Sequence, residues 1–410
     1  MTARTPHLTE QSAAQLVSSR SVMLVLAVLT ALSPLSMDIY APSMPQMQQD
    51  LNAPAWLIQA SITGCLLGIA VGQLFWGPVS DRHGRRPVIV IGMVGWTLAS
   101  GVSIFAVSGW MLVATRGVAG LCGAAGIVAA RSVVRDLTHD AHAVAGRIGV
   151  LSIATALAPI LSPVAGTFIA GWWGWRADFV AMVVLGVVIV VAFIALVPES
   201  LPADRRLQHA TPVGSALVTA GRNRELAAIA ASLGVLCIGF YAYIASVSFV
   251  VEQQFGYSPS VFALVFGTNA LAILAGNTVF RRLVRTRRPT GPMGAGLLLG
   301  LLAAMALWLG AAVDAPAPLL WAASTVYCAS MGLVFPGAHS WGQLTLVASG
   351  AASALTGAAQ FFGGAIGSPV TGLVGISALH LGIVAAVASA VALSIWRVAQ
   401  GAAQTPTPAT

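Results

Sequence analysis

Two ionisable residues inside long apolar stretches are the first candidates for chemistry. Asp38 ends an apolar stretch that follows Arg20, and Arg116 interrupts one that begins near Gly109. A charge in hydrocarbon costs several kcal/mol unless it faces water, finds a partner or is neutralised, so both are functional candidates. At about 1.5 Å per residue, both lie roughly 10 Å below the same membrane surface. A shared cavity would let Arg116 tune proton exchange at Asp38. The alternatives are a fixed ion pair and, for Asp38, a carboxylate in the headgroup zone.

A glycine- and arginine-rich segment between two apolar stretches is the second candidate, and it predicts a gate. Two glycines would allow a tight turn, while an aspartate between them points at the positive N-terminal end of a helix starting near Ala351. An ordinary basic loop is the alternative, although it does not explain the spacing of glycine and aspartate. The residues of this gate motif are Gly77, Asp81, Arg82, Gly84, Arg85 and Arg86.

The fifth apolar stretch carries two prolines and a glycine, Pro159, Pro163 and Gly166. Each proline removes an intrahelical hydrogen-bond donor and kinks a helix, and small residues allow close packing. The pattern predicts a hinge between two parts of the molecule, and a kinked packing helix is the alternative.

Polar and aromatic residues on other stretches are candidates for lining a substrate cavity. An apolar pocket with a few oriented polar groups suits an amphipathic, drug-sized molecule. Taken singly, each could instead be a hydrogen-bonding residue in helix packing. The candidates are Tyr40, Gln59, Thr63, Tyr241, Asn269 and Gln360.

The composition indicates the elements that must position these residues. The chain is 57% hydrophobic and only 8% charged, against roughly 25% charged residues in an ordinary soluble domain. Its apolar residues form blocks of about 20, the length that crosses the bilayer as a helix. The alternating pattern of a barrel strand is absent. The sequence therefore predicts an all-α membrane protein.

Twelve spans are predicted. They are 20–42, 55–79, 87–107, 110–134, 145–170, 177–197, 225–251, 258–280, 290–313, 317–341, 351–374 and 378–397. The longest interior connection divides them into two six-helix halves, a layout typical of repeat-built transporters that bind substrate near the bilayer midplane. The predicted division is a tail at 1–19, a half at 20–197, a linker at 198–224, a half at 225–397 and a tail at 398–410.

The arginines orient these spans. With the N-terminus in the cytoplasm, 18 of the 20 basic residues, all of them arginine, fall on the inner side, whereas Asp50, Asp178, Glu252 and Asp314 fall in outer loops. This asymmetry follows the positive-inside rule. It predicts a multi-pass inner-membrane protein with both termini cytoplasmic, and it removes the reason to read the net charge of +8 as nucleic-acid binding.

Several segments carry a family resemblance. The motif that runs from Gly77 to Pro87 resembles the signature loop of the major facilitator superfamily, G-x-x-x-D-R-x-G-R-R. The segments 36–45, 116–120, 131–137, 158–166 and 174–179 are similar to those of Bcr/CflA-type drug:proton antiporters. The resemblance is dense in the first half and thins in the last four helices. It implies the major facilitator fold with pseudo-symmetric halves, a coupling role for Arg116 and an antiporter motif at Pro159, Pro163 and Gly166.

These observations lead to a hypothesis of proton-coupled multidrug efflux by alternating access, with bicyclomycin- or chloramphenicol-like substrates implied by the resemblance. A proton-coupled metabolite importer and a non-transporting membrane sensor are the alternatives. The expected partners are a small amphipathic drug, protons and the lipid bilayer, and the chain is expected to act as a monomer. No phosphate-binding loop, metal-binding spacing or catalytic elbow occurs in the sequence, so we expect no enzyme, cofactor or metal.

Overall fold

The computed structural model describes residues 20–137, 141–201, 221–344 and 349–404. These residues form twelve long helices in chain order. They are α1 Arg20–Asp38, α2 Ala55–His83, α3 Arg85–Ile104, α4 Gly109–Asp136, α5 Ala141–Trp173 and α6 Arg176–Leu196, then α7 Arg224–Phe249, α8 Pro259–Leu283, α9 Thr290–Ala312, α10 Ala317–Leu344, α11 Ser349–Gly367 and α12 Ala378–Gln404. Short helical segments at Ala41–Ser43, Met44–Asp50, Val250–Gln254 and Val370–Val374 extend or join them.

Nine of these helices are long and apolar enough to cross a bilayer, and a tenth span is formed by the bent pair Arg20–Leu32 and Leu35–Asp50. Helices α5 and α11 complete the twelve. Large apolar side chains, among them Val184, Val187 and Val191 of α6, are exposed on the outside of the bundle. Such a surface suits lipid, and the predicted all-α membrane class is confirmed.

Helix pairing repeats after six helices. In the first half α2 packs on α4, α3 on α4 and α6, and α1 on α5; in the second half the matching pairs are α8 on α10, α9 on α10 and α12, and α7 on α11. This is the predicted arrangement of two pseudo-symmetric six-helix halves. The halves meet where α2 lies against α11 and α5 against α8.

Small residues explain the closest of these crossings. A Cβ added at Gly120 of α4 would collide with the carbonyl oxygen of Cys65 in α2, and one at Gly332 of α10 with that of Ile273 in α8. Backbones can touch in this way only where side chains are missing, which is the usual device of packed membrane helices. The same device thus recurs at equivalent pairs of the two halves.

The bundle has two ends, which we name by a residue at each. The Gly84 end is where α2 turns into α3, and the Trp175 end is where α5 turns into α6. On the arginine distribution, the Gly84 end is the one predicted to face the cytoplasm. Two predicted boundaries differ: the first span continues as helix to Asp50 instead of ending at residue 42, and α12 continues to Gln404 instead of ending at 397.

Candidate functional site

Asp38 lies in the interior of a broken helix. It is the last residue of α1 and is 5% exposed, and the chain continues beyond it through the segments Ala41–Ser43 and Met44–Asp50. The two parts of this span meet at 47°, at a break where the sequence has Pro34. Because the span runs on for twelve residues after Asp38, this carboxyl does not mark the end of the span.

The glycine of the predicted hinge packs against the backbone next to Asp38. A Cβ added at Gly166 of α5 would overlap the carbonyl oxygen of Ile39, the residue next to Asp38. Pro163, three residues earlier, is buried. The side chain of Pro159, the other predicted hinge residue, lies outside the described part of the structure. The predicted antiporter motif is therefore in backbone contact with the segment that carries the acid.

No ion pair or hydrogen bond to the Asp38 carboxyl occurs among the described residues. Its electrostatic neighbours are Tyr40 and Cys65 of the first half and Tyr241 of α7 in the second half. Burying a carboxylate is costly unless it is paired, and a carboxyl without an ion-pair partner changes its charge without breaking a salt bridge. Asp38 is therefore a buried carboxyl without an ion-pair partner among the described residues, and its electrostatic neighbours come from both halves.

Arg116 is fully buried within the first half. Its Nη2 donates to Ser100 Oγ at 3.0 Å, its Nη1 lies 3.5 Å from Met182 Sδ, and its Cζ lies 5.2 Å from the centre of the Phe179 ring. Its Nε has no hydrogen-bond partner among the described residues. The fixed Asp38–Arg116 ion pair considered from the sequence is absent from the described residues. Instead, Tyr40 interacts electrostatically with both residues, and its ring packs at a tilt against Phe179 with the ring centres 5.5 Å apart.

The gate motif is mostly helical. Gly77 lies inside α2, which runs on to His83, so the turn predicted there is wrong: the reversal occurs at Gly84 alone, with φ of 101°. Only glycine adopts that conformation without strain. Arg82 is exposed, and the side chain of Asp81 lies outside the described part of the structure.

The arginines after the turn bind acids of the same half. Arg85 Nε is 3.0 Å from Asp136 Oδ2 at the end of α4, and Glu199 accepts hydrogen bonds from the backbone N–H groups of Arg85 and Arg86 at 2.9 and 3.2 Å. Arg86 also donates to the carbonyl oxygen of Ile194 at 2.7 Å. A carboxylate at the N-terminus of a helix satisfies free N–H groups and the helix dipole. The motif thus ties α2, α3, α4 and the start of the linker together.

Two of the predicted cavity residues join the halves near the Trp175 end. Gln59 Nε2 donates to the carbonyl oxygen of Ala245 and to Ser246 Oγ, each at 3.1 Å. Thr63 Oγ1 donates to the carbonyl oxygen of Ala365 at 2.9 Å and also contacts Ser368. These side chains hold α2 against α7 and α11.

The other cavity candidates divide into two groups. Tyr40 is fully buried with its hydroxyl 3.1 Å from Ser61 Oγ, and Tyr241 is hydrogen-bonded to Gln360 of α11 beside the halves' meeting point. Asn269 lies apart from them, buried in the second half, where it bonds Tyr243 and accepts from Thr325 at 2.8 Å. Asn269 therefore serves helix packing within its half.

Three ionisable residues were missed or misplaced by the sequence reasoning. Asp178, expected in an outer loop, is fully buried in the first turn of α6, where its Oδ2 accepts from Ser43 at 2.9 Å. Glu252, also expected in a loop, lies in the π-helical extension of α7. His339 of α10 bonds Gln360 and Thr356. An intramembrane histidine is itself a signal, and it would have identified His339.

A protein-family model, the Major Facilitator Superfamily, matches residues 26–368. The chain is 29% identical over 366 residues to the uncharacterized MFS-type transporter YdgK of Bacillus subtilis, covering 88% of this chain and 90% of that one. It is 34% identical over 187 residues to multidrug resistance protein D of Escherichia coli, 45% of this chain and 46% of that one. It is 25% identical over 293 residues to a bicyclomycin resistance protein homolog of Haemophilus influenzae, 71% and 73% of the two chains.

Solved transporters share the fold. A bacterial homolog of the human lysosomal transporter Spinster, in an inward-facing and unoccupied conformation, superposes with a TM-score of 0.75 at 14% identity, covering 95% of this chain and 98% of that one. A D-xylose-proton symporter gives 0.72 at 17% identity, covering 92% and 97%. The predicted fold is confirmed.

Replacing Gly166 by Ala tests the contact beside Asp38. The new methyl group would press on the carbonyl oxygen of Ile39, and such overpacking costs about 1–3 kcal/mol. We expect a lower thermal unfolding temperature in detergent and reduced transport. Gly171→Ala is the matched control, because it changes the same helix where nothing lies within 4 Å of an added Cβ. Equal stability of the two variants would contradict the proposed contact.

Replacing Gln59 by Ala tests the hydrogen bonds between the halves. Each lost bond contributes about 1 kcal/mol, so the Trp175 end should open several-fold more often. Spin labels at positions 48 and 253, whose native side chains meet across the halves at 3.2 Å, should report a larger share of long distances. Gln73→Ala, on the same helix but toward the Gly84 end, should leave the distance distribution unchanged. An unaltered distribution in Gln59→Ala would show that these bonds do not hold the end closed.

Proposed function

Because the chain belongs to the major facilitator superfamily and is a multi-pass membrane transporter, we propose that it exports amphipathic drugs in exchange for protons by alternating access. The observation that carries the proposal is the placement of Asp38: a buried carboxyl without an ion-pair partner among the described residues, in a broken helix, at the meeting point of the two halves. An intramembrane acid of this kind is typical of proton relays in transporters.

The drug class is supported by relatives and by the chemistry of the site. Two similar proteins are named for multidrug resistance and bicyclomycin resistance. Beside Asp38, the aromatic side chains Tyr40 and Tyr241 and the amide of Gln360 combine apolar surface with a few polar groups. Such a site suits a bicyclomycin- or chloramphenicol-like molecule.

In the proposed cycle, protons reach Asp38 when the Trp175 end is open, and the drug leaves. Closure of that end, with Gln59 and Thr63 bonded to the second half, accompanies opening of the Gly84 end. Asp38 then loses its proton to the cytosol and drug binds from there. Exchange follows only if drug and proton favour different states of the carboxyl or of the halves.

Arg116 acts in this scheme through Tyr40. Its guanidinium lies over Phe179, against which Tyr40 packs, and Tyr40 interacts electrostatically with both Arg116 and Asp38. In the proposal, Tyr40 therefore links Arg116 to Asp38 without a salt bridge that would hold the carboxyl in one charge state.

The gate motif is proposed to work at the cytosolic face. Asp81 would bind the N-terminal end of α11 when the Gly84 end is closed. Arg85, bonded to Asp136, keeps the motif attached to its own half while the halves move. With this orientation both termini are cytoplasmic and the transporter acts as a monomer in the inner membrane.

Export is tested in a host stripped of its own exporters. Cells that express the chain should survive higher concentrations of bicyclomycin or chloramphenicol and accumulate less drug, and an uncoupler should abolish the difference. Increased uptake would indicate an importer. Unchanged survival and drug accumulation across a broad antibiotic panel would favour the non-transporting sensor.

Replacing Asp38 by Asn tests the coupling site. The substitution keeps the shape of the side chain and removes the exchangeable proton, so export of a neutral drug driven by a pH gradient should fall to the background of protein-free vesicles. Purified protein in proteoliposomes provides the measurement. Asp314→Asn is the matched control, since Asp314 is exposed in a turn with φ of 50°, which asparagine tolerates well. Retained coupling in the Asp38 variant would place the proton site elsewhere, with Glu252 next to be tested.

A further inference from the structure

His339 is an imidazole inside an apolar span of the second half. It lies on α10 within the candidate span Ala317–Trp341, five residues before the helix ends on the Gly84 side. Its side chain is partly exposed, and both ring nitrogens have partners: Nε2 is 3.0 Å from Gln360 Oε1, and Nδ1 is 3.1 Å from Thr356 Oγ1. An ionisable group at this depth calls for a function.

The two partners suit both charge states of the ring. A neutral imidazole donates from one nitrogen and accepts at the other, whereas the imidazolium donates from both. The amide oxygen of Gln360 accepts in either case, and the Thr356 hydroxyl can donate to Nδ1 or accept from it. Protonation of His339 therefore needs only the rotation of one hydroxyl group, with no repacking of α10 or α11.

Polar side chains lead from His339 to Tyr241, which is within electrostatic reach of Asp38 but is not hydrogen-bonded to it among the described residues. Gln360, bonded to His339, is also hydrogen-bonded to Tyr241 of α7, and Tyr241 interacts electrostatically with Asp38. His339 lies near the end of α10 that is on the Gly84 side of the bundle. Tyr241 lies farther from that side, in the interior of α7. These side chains therefore lead from near the acid toward the end proposed to face the cytosol.

Among the described residues, the helices packed against α10 carry few charges. Helices α9 and α11 contain no charged residue, and α8 has only Arg281 and Arg282, at its Gly84 end. On α7, Arg224 is exposed at the helix start, and Glu225 accepts a hydrogen bond at 2.7 Å from Trp341, two residues after His339. The other ionisable groups on these helices are the phenols and thiols Cys237, Tyr241 and Tyr243 of α7 and Tyr327 and Cys328 of α10.

We propose that His339 is the proton acceptor on the cytosolic side of the transport cycle, a role that rests on the proposed antiport function. The proton leaves the Asp38 carboxyl, crosses water beside Tyr241 and Gln360, and binds the imidazole nitrogen of His339; the imidazolium then releases it to the cytosol. Asp38 becomes a carboxylate and His339 returns to its neutral form. His339 is thus a proton-transfer residue that the drug does not need for binding.

The first test reads the histidine directly, without any drug. In protein labelled with 13C at histidine Cε1, the resonance missing from H339Q identifies His339. We expect it to titrate between about pH 5 and 8, and its midpoint to differ in D38N because the charge at position 38 has changed. A resonance that does not titrate, or one with the same midpoint in D38N, overturns the proposal.

The second test separates proton release from drug movement. In proteoliposomes with chloramphenicol as the probe, H339Q keeps hydrogen-bonding capacity and loses the titratable group. Drug export driven by a pH gradient should fall about tenfold or more, whereas drug-for-drug exchange at equal pH should be unchanged. Unchanged gradient-driven export in H339Q, or an equal loss of exchange, overturns the proposal. If the native protein moves no drug while His339 titrates with Asp38, the export function fails and the proton link between the two residues stands.

Discussion

The cost of placing a carboxyl group in the apolar interior governs the arrangement of this protein. Asp38 is 5% exposed and has no ion-pair partner among the described residues, so no opposite charge offsets the cost of burying its carboxylate. The first span bends between Leu32 and Leu35, just before Asp38, and continues as helix to Asp50. Gly166 of α5 packs against the backbone of Ile39, next to Asp38, and Tyr241 brings the second half within electrostatic reach. Elements of both halves thus meet around this acid.

The polar contacts within the first half differ in kind from those between the halves. Contacts within the first half are strong and charged: Arg85 with Asp136, and Glu199 with the start of α3. Contacts between the halves are neutral hydrogen bonds from Gln59 and Thr63. Neutral bonds each contribute about 1 kcal/mol, and charge-assisted bonds about 1.5–3 kcal/mol. The charged contacts within the first half are therefore stronger than these hydrogen bonds between the halves.

The sequence was sufficient for the fold because its signals are strong ones. Blocks of about 20 apolar residues and the placement of arginines predicted the twelve helices and the two halves, and the motif from Gly77 to Pro87 pointed to the family. Sequence reasoning failed where the burial of a residue depends on how the helices pack. Asp178 and Glu252 sit near predicted helix ends, so they were assigned to loops, yet burial against Ser43 and a π-helical turn draw them into the bundle. The similar depth of Arg116 and Asp38 stays a prediction, and periodicity alone does not show that Tyr40 and Phe179 stand beside Arg116.

The bond between Glu199 and the first residues of α3 has a mechanical consequence. Glu199 lies at the start of the segment that joins the halves. It accepts a hydrogen bond from the backbone N–H of Arg85, the residue after the reversal at Gly84. A pull along the joining segment would therefore act on the α2–α3 corner through the hydrogen bonds of Glu199. A change in the length of that segment would alter the load on this corner.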